Sequence, residues 1–362
     1  MADHTHIEWA DTTWNIVTGC SLVSPGCTNC YAMKWAGTRL RDHPSRAGLT
    51  IDSKAGPVWN GQVRFNAQWL DQPLRWAKPR KIFVAAHGDL FHDGVEMHWL
   101  DQIFAVMALC PQHVFQVLTK RPEWMQQYVS GFGDAEHGQA WRTRGRVQQA
   151  MRQIDPDTSL YQWPLPNVWL GVSVEDQVRA DERIPLLLDT PAAVRWLSAE
   201  PLLGPVDLGA IQAPRYVPED HETDWKFSCL ETGDYYFFDC GDGFTEGGDG
   251  PDRRHRIDWV VAGGESGHGA RPMHPDWARS LRDQCAAAGT PFLFKQWGEW
   301  SPRDAWVPGR AIQKAIMHDG SPVPDDAAPQ DVGGWRFERV GKKAAGRRLD
   351  GVQHDGYPEP TS

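Results

Sequence analysis

The sequence predicts an α/β fold, a parallel (βα) barrel or partial barrel of about seven strands. Three observations predict it. Short runs that are apolar throughout recur along the first 300 residues. Most are separated by segments with helical periodicity. Each run ends in a distinctive polar group. Strands without polar alternation are covered on both faces, as in parallel sheets. Seven such units in about 290 residues favour a barrel or near-barrel over an open sheet.

The first strand falls within residues 12–18, ahead of a cysteine-rich loop. The second is 81–86 (KIFVAA), followed by the loop HGDLFH at 87–92. A helix over 97–109 carries Leu100, Ile103, Phe104 and Met107 on one face, and Pro111 stops it. The third strand, 114–118 (VFQVL), leads through Thr119, Lys120, Arg121 and Pro122 into a short helix. The fourth, 167–174 (NVWLGVSV), precedes a helix at 175–188, and the fifth, 193–198 (AVRWLS), runs into Ala199, Glu200 and Pro201. The sixth, 258–262 (DWVVA), ends in GGESG. A helix at 275–288 and a seventh strand at 291–295 (PFLFK) follow. Two segments interrupt this rhythm. Residues 130–165 read as a polar, partly helical insertion. Residues 204–257, with the acidic stretch ETGDYYFFDCGDGFTEGGDGPD, read as a loop or small hairpin over the C-terminal mouth. Residues 1–300 thus form a single barrel domain, and 301–362 an irregular C-terminal extension rich in Pro, Gly and Asp.

The 362 residues are 41% hydrophobic, enough for a substantial core, and 23% charged, as in ordinary globular proteins. A net charge of −10 opposes indiscriminate binding to nucleic-acid backbone. The basic groups Arg142, Arg144 and Arg146, Arg253, Arg254 and Arg256, and Lys342, Lys343, Arg347 and Arg348 read as solvated loop charge. No apolar run of about 18 residues is present, so no membrane span is expected. The N-terminus has no apolar signal-peptide segment. Seven cysteines, three of them clustered, fit a reducing cytoplasm and metal binding better than a disulfide framework. The nineteen tryptophans serve the core, with some available to line a pocket.

The cluster is Cys20, Cys27 and Cys30 in GCSLVSPGCTNCYA. Three thiolates in an 11-residue loop can hold a metal centre and leave one position open, whereas structural zinc fills all four. Three readings stand. One is structural zinc with His4, His6 or His43 as fourth ligand. Another is a redox dithiol at C-x-x-C, which leaves Cys20 unexplained. The last is a four-iron four-sulfur cluster with one iron open, which the position after the first strand favours. Cys229 and Cys240 read as unpaired thiols, although a second metal there is an alternative; Cys110 and Cys285 read as core.

The strand ends carry Cys20; His87, Asp89 and His92; Thr119, Lys120 and Arg121; Ser173 and Glu175; Ser198 and Glu200; Glu265 and Ser266; and Lys295, Gln296 and Trp297. In a parallel barrel these ends open on one face, where such enzymes place their sites. GGESG lacks both Gly-rich phosphate patterns, and its Glu repels phosphate. Backbone contact with an amine or hydroxyls suits it better. The acids Asp89, Glu175, Glu200 and Glu265 suit a cationic or ribose-bearing ligand. Neither G-x-S-x-G nor H-E-x-x-H occurs, which ranks hydrolysis last.

The stretches IEWADTTWN, VTGCSLVSPGCTNCYA, GDLFH, FQVLTKRP, NVWLGVSVEDQ, SAEPLLGPV, VVAGGESGHGARPMHPDW and FKQWGEW, spread over residues 7–300, resemble a phage-associated family of largely unknown function. A three-cysteine loop after strand one also resembles the radical S-adenosylmethionine superfamily, with its barrel fold. The spacing here is C-x6-C-x2-C where that superfamily has C-x3-C-x2-C, and Asn29 stands where an aromatic usually precedes the last cysteine. Gly88, Asp89 and Leu90 replace the usual Gly-Gly-Glu. The resemblance implies a 4Fe-4S cluster on Cys20, Cys27 and Cys30, S-adenosylmethionine as cofactor, and a reduced flavodoxin or ferredoxin as electron donor. It implies a 5′-deoxyadenosyl radical acting on a small molecule, nucleotide or nucleic acid. Cofactor contacts are expected among Tyr31, Asp89, Ser173, Glu175, Glu200, Gly263, Gly264 and Glu265, with Asp89 and Glu200 toward the amine and ribose. Lys295 or Arg121 is expected to hold a substrate anion. The alternative is a non-catalytic, zinc-stabilised interaction protein associated with phage or defence.

Overall fold

A computed structural model describes residues 5, 7–131, 140–159, 161–212, 226–232, 255–303, 313–324 and 328–359. The protein is mixed α/β. Seven strands make one sheet: β1 (Thr12–Trp14), β2 (Lys81–Val84), β3 (Val114–Thr119), β4 (Val168–Ser173), β5 (Val194–Ala199), β6 (Trp259–Gly263) and β7 (Phe292–Gln296). They lie side by side in chain order, and β1 and β7 are the two edges. The sheet is therefore the open, partial-barrel form of the expected class. The chain divides into two compact units, Met1–Ser173 with Thr190–Val194 and Pro360–Ser362, and Val174–Asp189 with Arg195–Glu359.

The first unit holds β1 to β4, paired in parallel with Thr12 opposite Ile82, Ile82 opposite Phe115 and Val117 opposite Leu170. β4 is buried along its whole length, as a parallel strand covered on both faces must be. Helix α1 (Tyr31–Gly37) follows the cysteine loop. α2 (Met97–Ala108) buries the stripe of Leu100, Ile103, Phe104 and Met107, and the chain leaves it at Cys110 and Pro111. α3 (Pro122–Ser130) starts with proline at its first position and ends at Gly131 in the left-handed conformation. α4 (Ala140–Ile154) lies in the 130–165 insertion and buries Thr143, Val147, Ala150 and Met151. Its Arg146 reaches Asp101 on α2 at 3.0 Å, and Tyr128 of α3 donates to the same carboxylate.

The second unit holds β5 from Arg195 onward, with β6 and β7. Leu197 faces Val260 and Ala262 faces Phe294 in parallel register. Trp196 and Trp259 pack at 5.3 Å in its core, with Trp277 and Phe294 also fully buried. α5 (Gln177–Leu188) begins at Asp176, whose carboxylate accepts from the Arg179 N–H. α6 (Pro275–Ala288) is capped by His274 and closed by Gly289. Within 204–257, Ile211–Gln212 pairs antiparallel with Lys226–Phe227; the acidic Gly-rich stretch and Cys240 lie outside the described residues.

Residues beyond 300 differ from the irregular extension expected. Trp300–Arg303, Gln313–Ile316 and Trp335–Arg339 form an antiparallel sheet with the last strand in the middle. Its inward side chains include Trp300 and Phe337. The prolines and glycines that suggested irregularity mostly fall between these short strands. The chain then returns to β7: Phe294 donates to His354 at 3.0 Å, and Gly356 to Phe292 at 2.9 Å. An antiparallel segment thus covers the outer edge of the last parallel strand.

The loops after β6 and β7 meet backbone to backbone. Gly264 donates to Gln296 at 2.9 Å and Glu299 to Glu265 at 3.0 Å. A Cβ on Gly264 would overlap the Trp297 carbonyl oxygen, and one on Gly298 the Glu265 carbonyl. Close approach, rather than a ligand, accounts for these glycines. Gly264→Ala is expected to cost about 3 kcal/mol or more in urea unfolding. Gly145, exposed on α4 with open space around it, gives the opposite sign, and Gly145→Ala should stabilise by about 0.5–1 kcal/mol.

Candidate functional site

In the first unit the chain leaves β1, pairs Val17–Thr18 with Arg64–Phe65, and turns at Gly19. Gly19 has φ of +93°, and a side chain there would run into the Gln62 carbonyl. Its N–H bonds the His87 carbonyl at 3.1 Å, so the loops after β1 and β2 run side by side. Cys20 follows at once. Pro25–Cys27 forms one 3-10 turn, and Cys30 sits at the start of α1. All three thiols are free and half-buried. Cys20 and Cys30 back onto Ala32, Met33, Ala36, Leu49 and Trp59.

Asp89, from the β2 loop, organises the polar side. Its Oδ1 accepts from the Phe91 N–H at 3.0 Å and the Thr119 hydroxyl at 2.7 Å. Its Oδ2 accepts from the Lys120 N–H at 3.2 Å and Arg121 Nη1 at 2.9 Å. Four donors use the full capacity of a carboxylate. Arg121 Nη1 also reaches Cys20 Sγ at 3.6 Å, and Nη2 donates to the Ser21 hydroxyl at 2.6 Å and carbonyl at 3.3 Å. Ser21 Oγ lies 3.0 Å from His92 Nε2. His92 Nδ1 lies 3.0 Å from both the Gly94 backbone nitrogen and the Asp93 carboxylate.

Burial pushes the Cys20 thiol up to about 12; Asp89 adds to this and Arg121 opposes it. Burial also raises Cys30. Both are neutral thiols in the metal-free protein, and metal binding would expel their protons. His87 is pushed down to about 3, by burial and then by Arg46. Arg46 Nη2 donates to His87 Nδ1 at 2.9 Å, which leaves the ring proton on Nε2. The rings of Tyr31 and Trp35 stand edge-on to His87 at 5.7 and 5.6 Å, and the Tyr31 hydroxyl donates to the Ala86 carbonyl.

The second unit has its own polar strand ends. Glu200 accepts from Lys295 Nζ at 2.7 Å and from Gln296 Nε2 at 2.8 Å. Gln296 Oε1 is buried and has no partner among the described residues. Glu265 is forked by Arg271, with Nε and Nη2 on its two oxygens at 3.0 and 2.7 Å. Glu175, wholly buried, meets Arg183 at 2.8 Å.

Each acid chosen from the sequence thus has its own cation: Asp89 with Arg121, Glu175 with Arg183, Glu200 with Lys295 and Glu265 with Arg271. Each of these acids, read from the sequence as suited to a cationic or ribose-bearing ligand, sits in an ion pair within its own unit. Lys295 and Arg121, expected to hold a substrate anion, are engaged by these acids. Asp89, expected at the cofactor's amine, is a tie between strand ends. Ser173 is buried at the end of β4. Gly263 and Gly264 lie against Gln296 and Trp297. Sequence reading missed Arg46, Arg183, Arg271 and Ser21, because a partner brought near by folding leaves no spacing to read.

Among the described residues, no group of three or more His, Cys, Asp or Glu side chains is placed to hold a single metal ion. Of the histidines considered as a fourth zinc ligand, His43 has Nδ1 at 2.7 Å from Ser45 Oγ; His4 and His6 lie outside the described residues. The three thiols share one loop, with Cys20 and Cys30 against the same apolar cluster. Softness of the donors, an apolar backing and an adjacent guanidinium suit a multinuclear iron–sulfur group, in which each thiolate takes a different iron.

The family model described as "Protein of unknown function (DUF5131)" matches residues 4–358. The chain belongs to this family. No curated protein and no solved structure matches it. The family match covers both units and reaches past the C-terminal antiparallel sheet. Among the described residues no helix is long and apolar enough to cross a membrane.

His87 yields a pH prediction. Its folded pKa lies near 3, below the ordinary 6.5, so the unfolded chain takes up a proton that the folded one refuses. The corresponding stability is fully present above 6.5 and is lost as pH falls toward about 3. His87→Gln should lose less stability than the wild type between about pH 7.5 and about pH 5, read from urea midpoints.

Proposed function

We propose that this protein is a radical S-adenosylmethionine enzyme whose 4Fe-4S cluster is held by Cys20, Cys27 and Cys30. One observation carries the reading: three thiols follow the first strand of a parallel sheet on a single loop. When bound, such a cluster supplies one electron for reductive cleavage of S-adenosylmethionine to methionine and a 5′-deoxyadenosyl radical. The chain's own part is to hold and shield. Gly19 sets the direction in which Cys20 leaves the sheet. Met33, Leu49 and Trp59 form a dry wall behind Cys20 and Cys30. Tyr31 and His87, beside this loop, offer an exposed ring and a fixed imidazole N–H to the cofactor. The resemblance to a phage-associated family points to a nucleotide or nucleic acid as substrate. Reduced flavodoxin or ferredoxin is the proposed electron donor.

Anaerobic reconstitution with iron and sulfide should give a brown protein absorbing near about 400 nm. With dithionite and S-adenosylmethionine it should release 5′-deoxyadenosine. Cys27→Ala should lose both colour and product, by about two orders of magnitude. A colourless protein carrying stoichiometric zinc, with no 5′-deoxyadenosine, would replace this reading with that of a zinc-stabilised interaction protein.

A further inference from the structure

Arg121 is more than the partner of a buried acid. Its side chain is 9% exposed, and one nitrogen, Nη1, is shared between Asp89 Oδ2 at 2.9 Å and Cys20 Sγ at 3.6 Å. The other terminal nitrogen grips Ser21 through both hydroxyl and carbonyl. The guanidinium is held on both sides of the first cysteine by groups that fix its plane. Its own anchor is rigid too, because Asp89 is bound in turn by Thr119, Phe91 and Lys120. The result is a pre-positioned cation donating a hydrogen bond to one of the three sulfurs proposed to bind iron.

We infer that Arg121 is a positioning residue that orients Cys20 and sets the reduction potential of the cluster held there. This rests on the proposed iron–sulfur reading. One electron passes from a low-potential carrier, a reduced flavin or iron–sulfur protein, to the cluster; the carrier is oxidised by one electron and the cluster reduced by one. That electron adds one negative charge beside the thiolates. A guanidinium hydrogen-bonded to Cys20 stabilises the added charge and makes the potential less negative. Both properties of the side chain matter. The fixed fork aligns Cys20 through Ser21, and the charge acts on the electron.

The test uses the reconstituted full chain and three proteins: wild type, Arg121→Gln and Arg121→Lys. Iron and sulfide content reports loading, and a potentiometric titration followed by electron paramagnetic resonance reports the midpoint. Arg121→Gln keeps a donor but loses the charge. It should load iron yet show a roughly tenfold lower reduced-to-oxidised ratio at fixed poise, about 59 mV for one electron. Arg121→Lys restores the charge and should recover most of that loss. Loading with an unchanged midpoint in Arg121→Gln overturns the role. So does loss of the cluster in both variants, which would make Arg121 a structural tie alone. A wild type that takes up no iron–sulfur cluster overturns the functional reading itself, and this role with it.

Discussion

A carboxylate taken out of water must have its lone pairs answered, and the first unit is arranged around that demand. Asp89 is buried and receives four donors. An isolated buried carboxylate would cost several kcal/mol. Meeting its needs fixes the loop after β2, the end of β3 and, through Arg121, the start of the cysteine loop. Thr119 cannot leave without opening one oxygen, nor Arg121 without freeing Cys20 and Ser21 together. The position of Cys20 is therefore tied, through Arg121, to a buried carboxylate.

The same logic recurs in the second unit with different partners. Glu265 takes a planar fork from Arg271, and Glu200 takes one ammonium and one amide. A guanidinium matches a carboxylate in two directions and leaves little freedom, whereas an ammonium is a point charge that can release its partner more easily. Glu200 is also next to the buried Gln296 side-chain carbonyl oxygen, which has no partner among the described residues. Glu175 and Arg183, both almost fully buried, are the reverse case, a pair whose separation would strand a charge.

Much of the fold was legible because a parallel sheet writes itself plainly. Strands such as NVWLGVS and AVRWLSA are apolar without alternation, and helices such as 97–108 carry a periodic stripe. The hairpin of Thr50–Ser53 with Gly56–Trp59, the pairing of Val17–Thr18 with Arg64–Phe65 and the antiparallel sheet beyond residue 300 were not legible. Their strands are two to five residues long and carry Pro57, Pro302, Arg336 and Arg339, so neither period nor composition marks them. The cysteine loop was legible as a motif, because three thiols in one short stretch need no tertiary knowledge. The ion-pair partners were not. Arg121 could be read as a strand-end cation, but its attachment to Cys20 spans a hundred positions in the chain. Gly264 could be read as conformational freedom, while its reason is a carbonyl from a loop more than thirty residues on.

The covering of β7 by residues 354–356 has a consequence for how the chain is made. During synthesis β7 emerges well before the segment that pairs with its outer edge. In that interval the second unit carries an unprotected row of backbone donors and acceptors, able to pair with any extended segment nearby. Order of appearance, not stability of the finished fold, then decides when the unit is most vulnerable. Pairing at His354 and Gly356 is a late closing step that converts an adhesive edge into an inert one.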